Sequence, residues 1–434
     1  MRKSADVVIL MQPSSNLSLL FPQSIDWEQF SQYRPEEPFS DKVLEYLNSL
    51  SSALLKDRNS RMYPDVVTFA FFCRKGNLLQ LKDKYRKGSE LRLGRGVLFH
   101  IAPSNVPINF AYSLVAGLLA GNANVVRVSS KQFPQVDLVV RHILSLEKQE
   151  EYKEVSGRIA LVRYDRTSDA NAYFSSIANV RVIWGGDATI ANIRQYSIPP
   201  RSFDVCFADR YSVAAIRPSA IMQATDEEMQ KLAENFYNDT YLFDQNACSA
   251  PHLVLWKKEV CMEEAKKRFW NVIHDYASKK YNLQAVLSVD KLTELYREAV
   301  ALNCRQVPMQ DNLVVRNHLN HLPSDVENYR CAGGMFLEYD MDGLDEIAPI
   351  VNEKYQTLAY YGFEKAELQR FVLQNRLRGL DRIVPIGQTT AFALTWDGYN
   401  LIETIYSPEA HYKALIELME RVVRNKKQKY GNLN

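Results

Sequence analysis

Cys248 lies in the segment NDTYLFDQNACSAPHLVLW, residues 238–256, between a polar run and an apolar, strand-like run. Its neighbours are small or polar, so a carbonyl compound could approach the sulfur. Cysteine acts as a nucleophile in its thiolate form, which a helix N-terminus or a nearby cation favours by lowering the pKa. Most free cysteines are instead buried and inert, and Cys73 and Cys206 fit that description. The setting of Cys248 favours nucleophilic chemistry.

His252 is the nearest candidate for a base, because it follows Cys248 by only four residues. If a strand begins at residue 251, successive side chains point to opposite faces, and His252 need not face Cys248. We therefore disfavour this pairing, although spacing alone does not settle it.

Two loops that follow apolar strands carry further candidates. Asn105 lies in a proline-bracketed loop, where its amide could donate to an oxyanion or bond its own backbone as a turn former. Gly185 and Gly186 follow a strand and precede a helix, where backbone can approach a phosphate. A simple tight turn also explains two glycines there, and Asp187 is a poor neighbour for a phosphate.

These candidates are positioned by alternating strands and helices. Residues 94–131 are typical of a βαβ unit, which requires a parallel sheet. The alternation continues through FDVCFADRYSVAAIRP and predicts a doubly wound sheet with ligands at the carboxyl ends of its strands. Residues 1–90 show helical spacing instead. A second α/β region follows from about 221 to about 390, and the basic end RVVRNKKQKYGN predicts a frayed, solvated helix.

The composition is that of an ordinary globular protein. A chain of 434 residues predicts two domains, and a net charge of +2 gives no argument for nucleic-acid binding. Six cysteines without C-x-x-C spacing and seven scattered histidines argue against zinc and against a disulfide framework. Reduced thiols fit a cytoplasmic protein. The N-terminal apolar run is too short for a signal peptide, and no stretch approaches the roughly 20 apolar residues of a membrane span.

Four segments together resemble the LuxC family of acyl-CoA (fatty acid) reductases, a branch of the aldehyde dehydrogenase superfamily. They occur in the family's order between about residues 90 and 405 and read APSNVPINFAYSLVAGLLAGNANVVRVSSK, VIWGGD, DQNACSAPHLVLW and GLDRIVPIGQTTAFALTWDGYNLI. The resemblance implies an α/β fold of the aldehyde dehydrogenase type. Its expected parts are a helical N-terminal region (1–90), a doubly wound NADP(H)-binding domain (91–220), an α/β catalytic domain with the nucleophilic cysteine (221–390), and a C-terminal return segment and tail (391–434).

The resemblance also assigns catalytic roles. Cys248 matches the family's nucleophilic cysteine. Asn105 matches the asparagine of the superfamily's PWN loop, which implies an oxyanion hole formed with the backbone N–H of Cys248. The implied reaction is NADPH-dependent reduction of an acyl thioester, expected to be a fatty acyl-CoA, to the aldehyde through a thioacyl-enzyme on Cys248.

Cofactor contacts follow from the same resemblance. Gly185 and Gly186 match the turn that meets the pyrophosphate. Arg127 matches the lysine of the superfamily's GNxVVxKPS segment, and Ser129 and Ser130 follow it. Many relatives carry a glutamate nearby that repels a 2′-phosphate, and its absence here favours NADPH. The EIFGP segment, whose glutamate holds the nicotinamide ribose, is not recognisable, and Glu338 is the expected substitute.

Departures from the superfamily pattern leave alternatives open. The ELGG glutamate that activates water in oxidising enzymes has no counterpart in FADRYSVAAI, and we do not assign its role to Asp209. The alternatives are an NAD(P)-dependent aldehyde dehydrogenase and a non-catalytic homologue that binds an acyl carrier or a partner. The family suggests an acyl-protein synthetase as partner, and the superfamily suggests a homo-oligomer. The segment WDGYNLI, residues 396–402, is expected only to pack.

Overall fold

The computed structural model describes residues 16–85, 92–166 and 168–406. The described chain divides into two compact units. The first contains residues up to Ala208 and those from Tyr399 onward, and the second is Asp209–Gly398. Residues 16–85 lie within the first unit, which ends at Ala208 before the chain enters the second. The basic tail lies outside the described residues.

The described part of the first unit contains a six-stranded sheet in the order β1-β4-β3-β2-β5-β6. Only β1 and β4 pair antiparallel. The strand order reverses between β2 and β5, which makes the sheet doubly wound, as the sequence predicted, with its switch point there. The strands are β1 (Ser18–Phe21), β2 (Val97–Ile101), β3 (Ala123–Arg127), β4 (Ile159–Arg163), β5 (Val180–Trp184) and β6 (Phe203–Phe207).

The central strands of this sheet are buried along their whole length, because helices cover the sheet. Phe99 of β2 packs against Phe174, with ring centroids 5.4 Å apart. The N-terminal region is largely helical, but the pairing of β1 with β4 was not predicted. The helices are α1 (Trp27–Ser31), α2 (Asp41–Lys56), α3 (Pro64–Phe72), α4 (Lys75–Tyr85), α5 (Asn109–Leu119), α6 (Pro134–Glu147), α7 (Lys153–Ser156), α8 (Ala170–Ile177) and α9 (Asp187–Arg194).

The second unit, all of it described, contains a seven-stranded sheet in the order β13-β12-β7-β8-β11-β10-β9. Each neighbouring pair is parallel except β9 with β10. The strands are β7 (Tyr211–Ile216), β8 (Pro251–Lys257), β9 (Cys304–Gln306), β10 (Val315–Leu319), β11 (Met335–Met341), β12 (Tyr355–Tyr361) and β13 (Arg382–Pro385). The sequence had assigned the segment that contains β7 to the first sheet, and this was wrong.

Five helices accompany this sheet within the same range, and short elements follow it. The helices are α10 (Pro218–Gln223), α11 (Asp226–Thr240), α12 (Met262–Lys280), α13 (Ala285–Ala301) and α14 (Lys365–Asn375). The chain then forms β14 (Thr395–Trp396), β15 (Tyr399–Asn400) and α15 (Leu401–Thr404). No helix in the described ranges is both long and apolar enough to cross a membrane.

Helix α11 leads directly into the segment that carries Cys248. The Thr225 hydroxyl accepts the N–H of Glu228 at 3.2 Å, and the Glu228 carboxylate accepts the N–H of Thr225 at 2.7 Å. This capping box satisfies two N–H groups that a helix start otherwise leaves unpaired. The start of α11 is thereby fixed.

Candidate active site

The chain reverses sharply just before Cys248. After α11 comes a short 3-10 turn, Tyr241–Phe243, and then Asp244 and Gln245 adopt φ values of +52° and +60°. Left-handed backbone at residues with a Cβ costs on the order of 1–3 kcal/mol each. Surrounding contacts must hold this geometry. Tyr281 donates its hydroxyl to Asp244 Oδ1 at 2.8 Å, and the Gln245 side chain makes further contacts.

The buried carboxamide of Gln245 fastens the loop to the starts of two strands. Its Oε1 accepts the backbone N–H groups of Gly334 at 2.9 Å and Met335 at 3.2 Å. Its Nε2 donates to the carbonyls of Pro251 at 2.9 Å and Met335 at 3.0 Å. Two donors and two acceptor positions are all an amide side chain has, so Gln245 is fully satisfied. The Cys248 loop is thus anchored to β8 and β11.

Cys248 contacts the starts of two more strands. Its Sγ accepts a hydrogen bond from Gln356 Nε2 of β12 at 3.3 Å. Its carbonyl oxygen accepts one from Ser212 Oγ of β7 at 2.7 Å, and the same hydroxyl accepts the N–H of Thr357 at 3.2 Å. The thiol therefore lies at the amino ends of β7, β8 and β12, opposite to the carboxyl-end placement expected for ligands of a doubly wound sheet.

A buried carboxylate shares the amide that contacts the thiol. Gln356 Nε2 donates to Asp397 Oδ1 at 2.6 Å as well as to the sulfur. Asp397 Oδ2 is buried without a hydrogen bond from any described residue, and Arg210 Nη1 lies 3.9 Å from it. Burial raises the pKa of Asp397 to about 6, against the opposing charge of Arg210.

The thiol of Cys248 is neutral near pH 7 in this arrangement. Burial raises its pKa to about 11, and the charge of Asp397 acts in the same direction. The hydrogen bond from Gln356 and the charge of Arg210 act in the opposite direction. The group that could lower the pKa enough for a resting thiolate is therefore not found among these contacts, although part of the residue is exposed to solvent.

His252 is not positioned as a partner of Cys248. Its ring stacks on Tyr211 with ring centroids 5.8 Å apart. Its Nδ1 is buried and forms no hydrogen bond with any described residue. Burial lowers the pKa of His252 to about 3, so the imidazole is neutral. The hydrogen bond recorded at the Cys248 sulfur comes from Gln356 instead.

Sequence analysis missed Gln356 and Asp397. Asp397 belongs to the segment that was expected only to pack, and its neighbour Trp396 does pack, beneath the Arg382 guanidinium at 4.1 Å. Asp397 itself has a φ of +48°, which turns its carboxylate to Gln356. A buried acidic residue in an otherwise aromatic and apolar segment was the available signal.

In the first unit, Asn105 and the glycine pair occupy loops at the switch point. Asn105 is exposed between β2 and α5, and Gly185 and Gly186 lie between β5 and α9. A Cβ placed on Gly186 would meet no atom of the described residues within 4 Å, whereas one on Gly185 would meet Thr189 at 3.1 Å. Backbone at Gly186 is therefore open to a ligand at the first turn of α9, which fits a phosphate group.

The strand β3 ends at Arg127, and Ser129 and Ser130 lie just beyond it. The Arg127 guanidinium lies over the Tyr164 ring at 5.0 Å and donates to the Tyr164 carbonyl at 3.3 Å, while its Nε has no hydrogen bond within the described chain. Ser129 Oγ accepts the N–H of Lys131 at 3.1 Å, and Ser130 is exposed. A buried guanidinium with an unused N–H fits recognition of an anionic group.

Glu338 does not fit the cofactor contact expected from the sequence. Its side chain is 1% exposed and lies on β11. Oε1 accepts the indole N–H groups of Trp256 at 2.8 Å and Trp270 at 2.7 Å, and Oε2 accepts Arg316 Nη1 at 3.2 Å. These contacts occupy both carboxylate oxygens inside the core, so Glu338 is not placed to bind a cofactor.

Comparisons with known proteins point to one family. A family model described as Acyl-CoA reductase (LuxC) matches residues 74–406. The long-chain acyl-protein thioester reductase of Aliivibrio fischeri is 21% identical over 304 residues, which cover 69% of this chain and 60% of that relative. The match thus spans less than two thirds of the relative's own length.

Solved structures with the same fold are aldehyde dehydrogenases. A variant of 1-pyrroline-5-carboxylate dehydrogenase from Thermus thermophilus has a TM-score of 0.60 at 13% identity, covering 88% of this chain and 82% of its own. The 1-pyrroline-5-carboxylate dehydrogenase from Thermus with bound NAD has a TM-score of 0.57 at 12% identity, with coverages of 88% and 82%. At these identities the likeness establishes the fold.

Proposed function

Because this chain belongs to the LuxC family of acyl-CoA reductases, we propose that it reduces an acyl thioester to the aldehyde, with Cys248 as nucleophile and NADPH as reductant. The observation that carries the proposal is the anchored loop that presents Cys248 at the start of β8, held by Gln245 on one side and by Ser212 and Gln356 on the other. A fatty acyl group is the proposed substrate because the curated relative is named for long-chain acyl thioesters.

The proposed chemistry begins at the sulfur. Cys248 attacks the acyl carbon, the bond to the carrier sulfur breaks, and a thioacyl-enzyme results. In our proposal the side-chain amide of Asn105 and the backbone N–H of Cys248 donate to the oxygen that becomes negative. One such donor contributes about 3–4 kcal/mol to transition-state stabilisation in comparable sites. Dividing the reaction into acyl transfer and reduction lowers the barrier of each step.

The cofactor proposal uses residues of the first unit. The open turn at Gly186 would bind the pyrophosphate, and Arg127 with Ser129 and Ser130 would bind the ribose phosphate that distinguishes NADPH from NADH. When bound, the nicotinamide supplies hydride to the acyl carbon held on Cys248. The proposal is supported by the space that the described residues leave open beside Gly186 and by the Nε–H of Arg127, which no described residue accepts.

A steady-state assay tests the proposal. The protein is mixed with NADPH and acyl-CoAs of increasing chain length, and aldehyde is quantified together with the loss of absorbance at 340 nm. We expect stoichiometric aldehyde for at least one chain length, with no turnover by Cys248→Ala. Turnover of an aldehyde with NADP⁺ to the free acid, but none in the reductive direction, would contradict the proposal.

The acyl carrier and the partners are part of the same proposal. Coenzyme A is the first donor to test, and an acylated carrier protein or an acyl-protein synthetase is the second, because the curated relative acts, by its name, on an acyl-protein thioester. We also propose a homo-oligomer, as in the wider superfamily, which sedimentation velocity of the purified protein tests.

A further inference from the structure

The Cys248 thiol and the Asp397 carboxylate are linked through a single nitrogen. Gln356 Nε2 carries two hydrogens, and it donates to Sγ at 3.3 Å and to Asp397 Oδ1 at 2.6 Å. The other end of the amide, Oε1, accepts the Thr357 hydroxyl at 3.3 Å, which fixes the orientation of the NH₂ group. Because each hydrogen of the NH₂ group points to one acceptor, the sulfur and the carboxylate lie on two sides of the nitrogen, and one bridging water molecule can pass a proton between them.

The two acidic groups are hard to ionise together. A thiolate and a carboxylate side by side in a buried site repel each other, so the pair favours one negative charge and one proton. Gln356 can donate to the negative charge on either group, because its NH₂ group has two hydrogens. The thiolate and the carboxylate are therefore each hydrogen-bonded when they carry the charge.

Positive charges face the carboxylate from two elements. Arg210, just before β7, places Nη1 at 3.9 Å from Asp397 Oδ2 and pairs with Asp381. Arg382 of β13 stacks on Trp396, and its charge also acts on both Asp397 and Cys248. Two further carboxylates act here, Asp381 on Asp397 and Asp239 on Arg382. The arginines favour the single negative charge, and Asp397 Oδ2 keeps an unused acceptor position.

We propose that Asp397, positioned by Gln356, takes the proton of Cys248 when its sulfur attacks the acyl carbon. The inference rests on the proposed function and names the group that activates the nucleophile. As the bond from Sγ to the acyl carbon forms, the proton moves to the Asp397 carboxylate. When the bond to the carrier sulfur breaks, the departing thiolate takes that proton and leaves as a thiol. No external oxidant, reductant or base is required for this step.

The proposal predicts opposite effects of one substitution on two reactions of the same sulfur. Asp397→Asn removes a negative charge beside the thiol, so the thiolate fraction at pH 7.5 rises about tenfold for each unit by which the pKa falls. Alkylation by iodoacetamide becomes faster by a smaller factor, because the nucleophilicity of a thiolate falls with its pKa. The same substitution removes the proton acceptor, so acylation by acyl-CoA becomes slower. Gln356→Met removes the hydrogen bond to sulfur and slows both reactions.

The experiment measures both rates on the full-length protein. Alkylation of Cys248 is followed by peptide mass mapping across pH 6–10, and acylation by intact mass after rapid quenching. Asp342→Asn is the control, since it removes a carboxylate of the same unit that is 74% exposed and pairs with Lys258. It should leave acylation within about twofold of the wild type, the range of surface charge effects.

The outcomes separate the inference from the proposed function. Faster alkylation with slower acylation in Asp397→Asn supports the inference. A fall in both rates, or an unchanged alkylation profile, overturns it, because a merely structural role gives that pattern. If no acyl thioester acylates the wild type, the proposed function fails, while the alkylation profile still supports or overturns control of the thiol by Asp397.

Discussion

Gln245 and Met335 form a reciprocal pair of hydrogen bonds, in which the Gln245 side chain accepts the Met335 N–H at 3.2 Å and donates to the Met335 carbonyl at 3.0 Å. The carboxamide thus takes the place of a strand neighbour at the start of β11. This side chain stabilises the left-handed backbone of the Cys248 loop and ties the loop to the sheet. The first prediction follows from its full set of hydrogen bonds.

Gln245→Glu should disrupt the loop and abolish acyl transfer. A carboxylate oxygen would replace Nε2 and face the carbonyls of Pro251 and Met335, leaving buried acceptors opposed. Each buried polar group left unpaired costs about 1–3 kcal/mol. The measurement is thermal unfolding together with Cys248 alkylation. Asn246→Asp, the same change at an exposed side chain of this loop, is the control. Equal Tm values and equal alkylation rates in the two variants would contradict the role of Gln245 in anchoring the loop.

Ser212→Ala should impair acyl transfer more than it impairs folding. The hydroxyl donates to the Cys248 carbonyl at 2.7 Å and accepts the N–H of Thr357 at 3.2 Å, so its loss removes the hydrogen bond that fixes the backbone at Cys248. We expect the acylation rate to fall about tenfold, the equivalent of roughly 1.4 kcal/mol, by rapid-quench intact mass. Ser202→Ala, which removes a 2.7 Å bond to the Ala178 carbonyl in the first unit, is the control. Matching losses of rate in both variants would show that Ser212 acts through general stability.

Arg127→Gln should weaken NADPH binding more than NADH binding. Loss of a charged hydrogen bond to the 2′-phosphate costs about 1.5–3 kcal/mol, or roughly ten- to hundredfold in Kd. Calorimetric titration with each nucleotide measures the difference. Arg141→Gln, an arginine of α6 whose side chain is 60% exposed, is the control and should bind both nucleotides as the wild type does. Equal weakening of both nucleotides would remove Arg127 from the phosphate site.

Glu298 gives the second unit a distinct pH dependence of stability. Burial raises its pKa to about 7, although Asn317 Nδ2 donates to its carboxylate at 2.5 Å. The unfolded chain ionises this group near its ordinary value of 4.5, so the protonated form stabilises the fold at low pH. That stabilisation is lost as the pH rises from about 4.5 to about 7.

Glu298→Gln should therefore gain stability relative to the wild type across that interval. The difference in unfolding free energy should grow by an amount on the order of 3 kcal/mol, seen as a change of several degrees in Tm. Melting curves at pH 4.5, 6 and 8 measure it. Glu264→Gln, at an exposed position of α12, should keep a constant Tm difference. The prediction fails if the Tm of Glu298→Gln and the Tm of the wild type differ by the same amount at all three pH values.

Local patterns predicted the parallel strands of the first sheet but not β1, because each βα unit is formed by adjacent residues. Sequence could not place β7, since only residues 208–210 separate it from β6 and both strands are apolar. The residues that surround Cys248 could not be predicted from the sequence either. Gln356 lies 108 residues beyond Cys248, and Asp397 lies 41 residues beyond Gln356, so only the pairing of β7, β8 and β12 brings them together.

Glu338 shows the opposite limit of sequence reasoning. The family resemblance suggested Glu338 as the substitute for the EIFGP glutamate, but Trp256, Trp270 and Arg316 satisfy it inside the second unit. These partners come from β8, α12 and β10, and no local pattern connects them. A buried charge with a full set of partners stabilises packing rather than binding a ligand.

The most direct test of the account is the intact mass of the protein after mixing with a panel of acyl-CoAs in the absence of nucleotide. We predict a mass increase equal to one acyl group that Cys248→Ala lacks, and that disappears from the wild type, with release of the aldehyde, when NADPH is added. An unmodified mass with every acyl-CoA and with acylated carrier protein, or an adduct that persists in Cys248→Ala, would contradict the assignment of Cys248 as the nucleophile of an acyl thioester reductase.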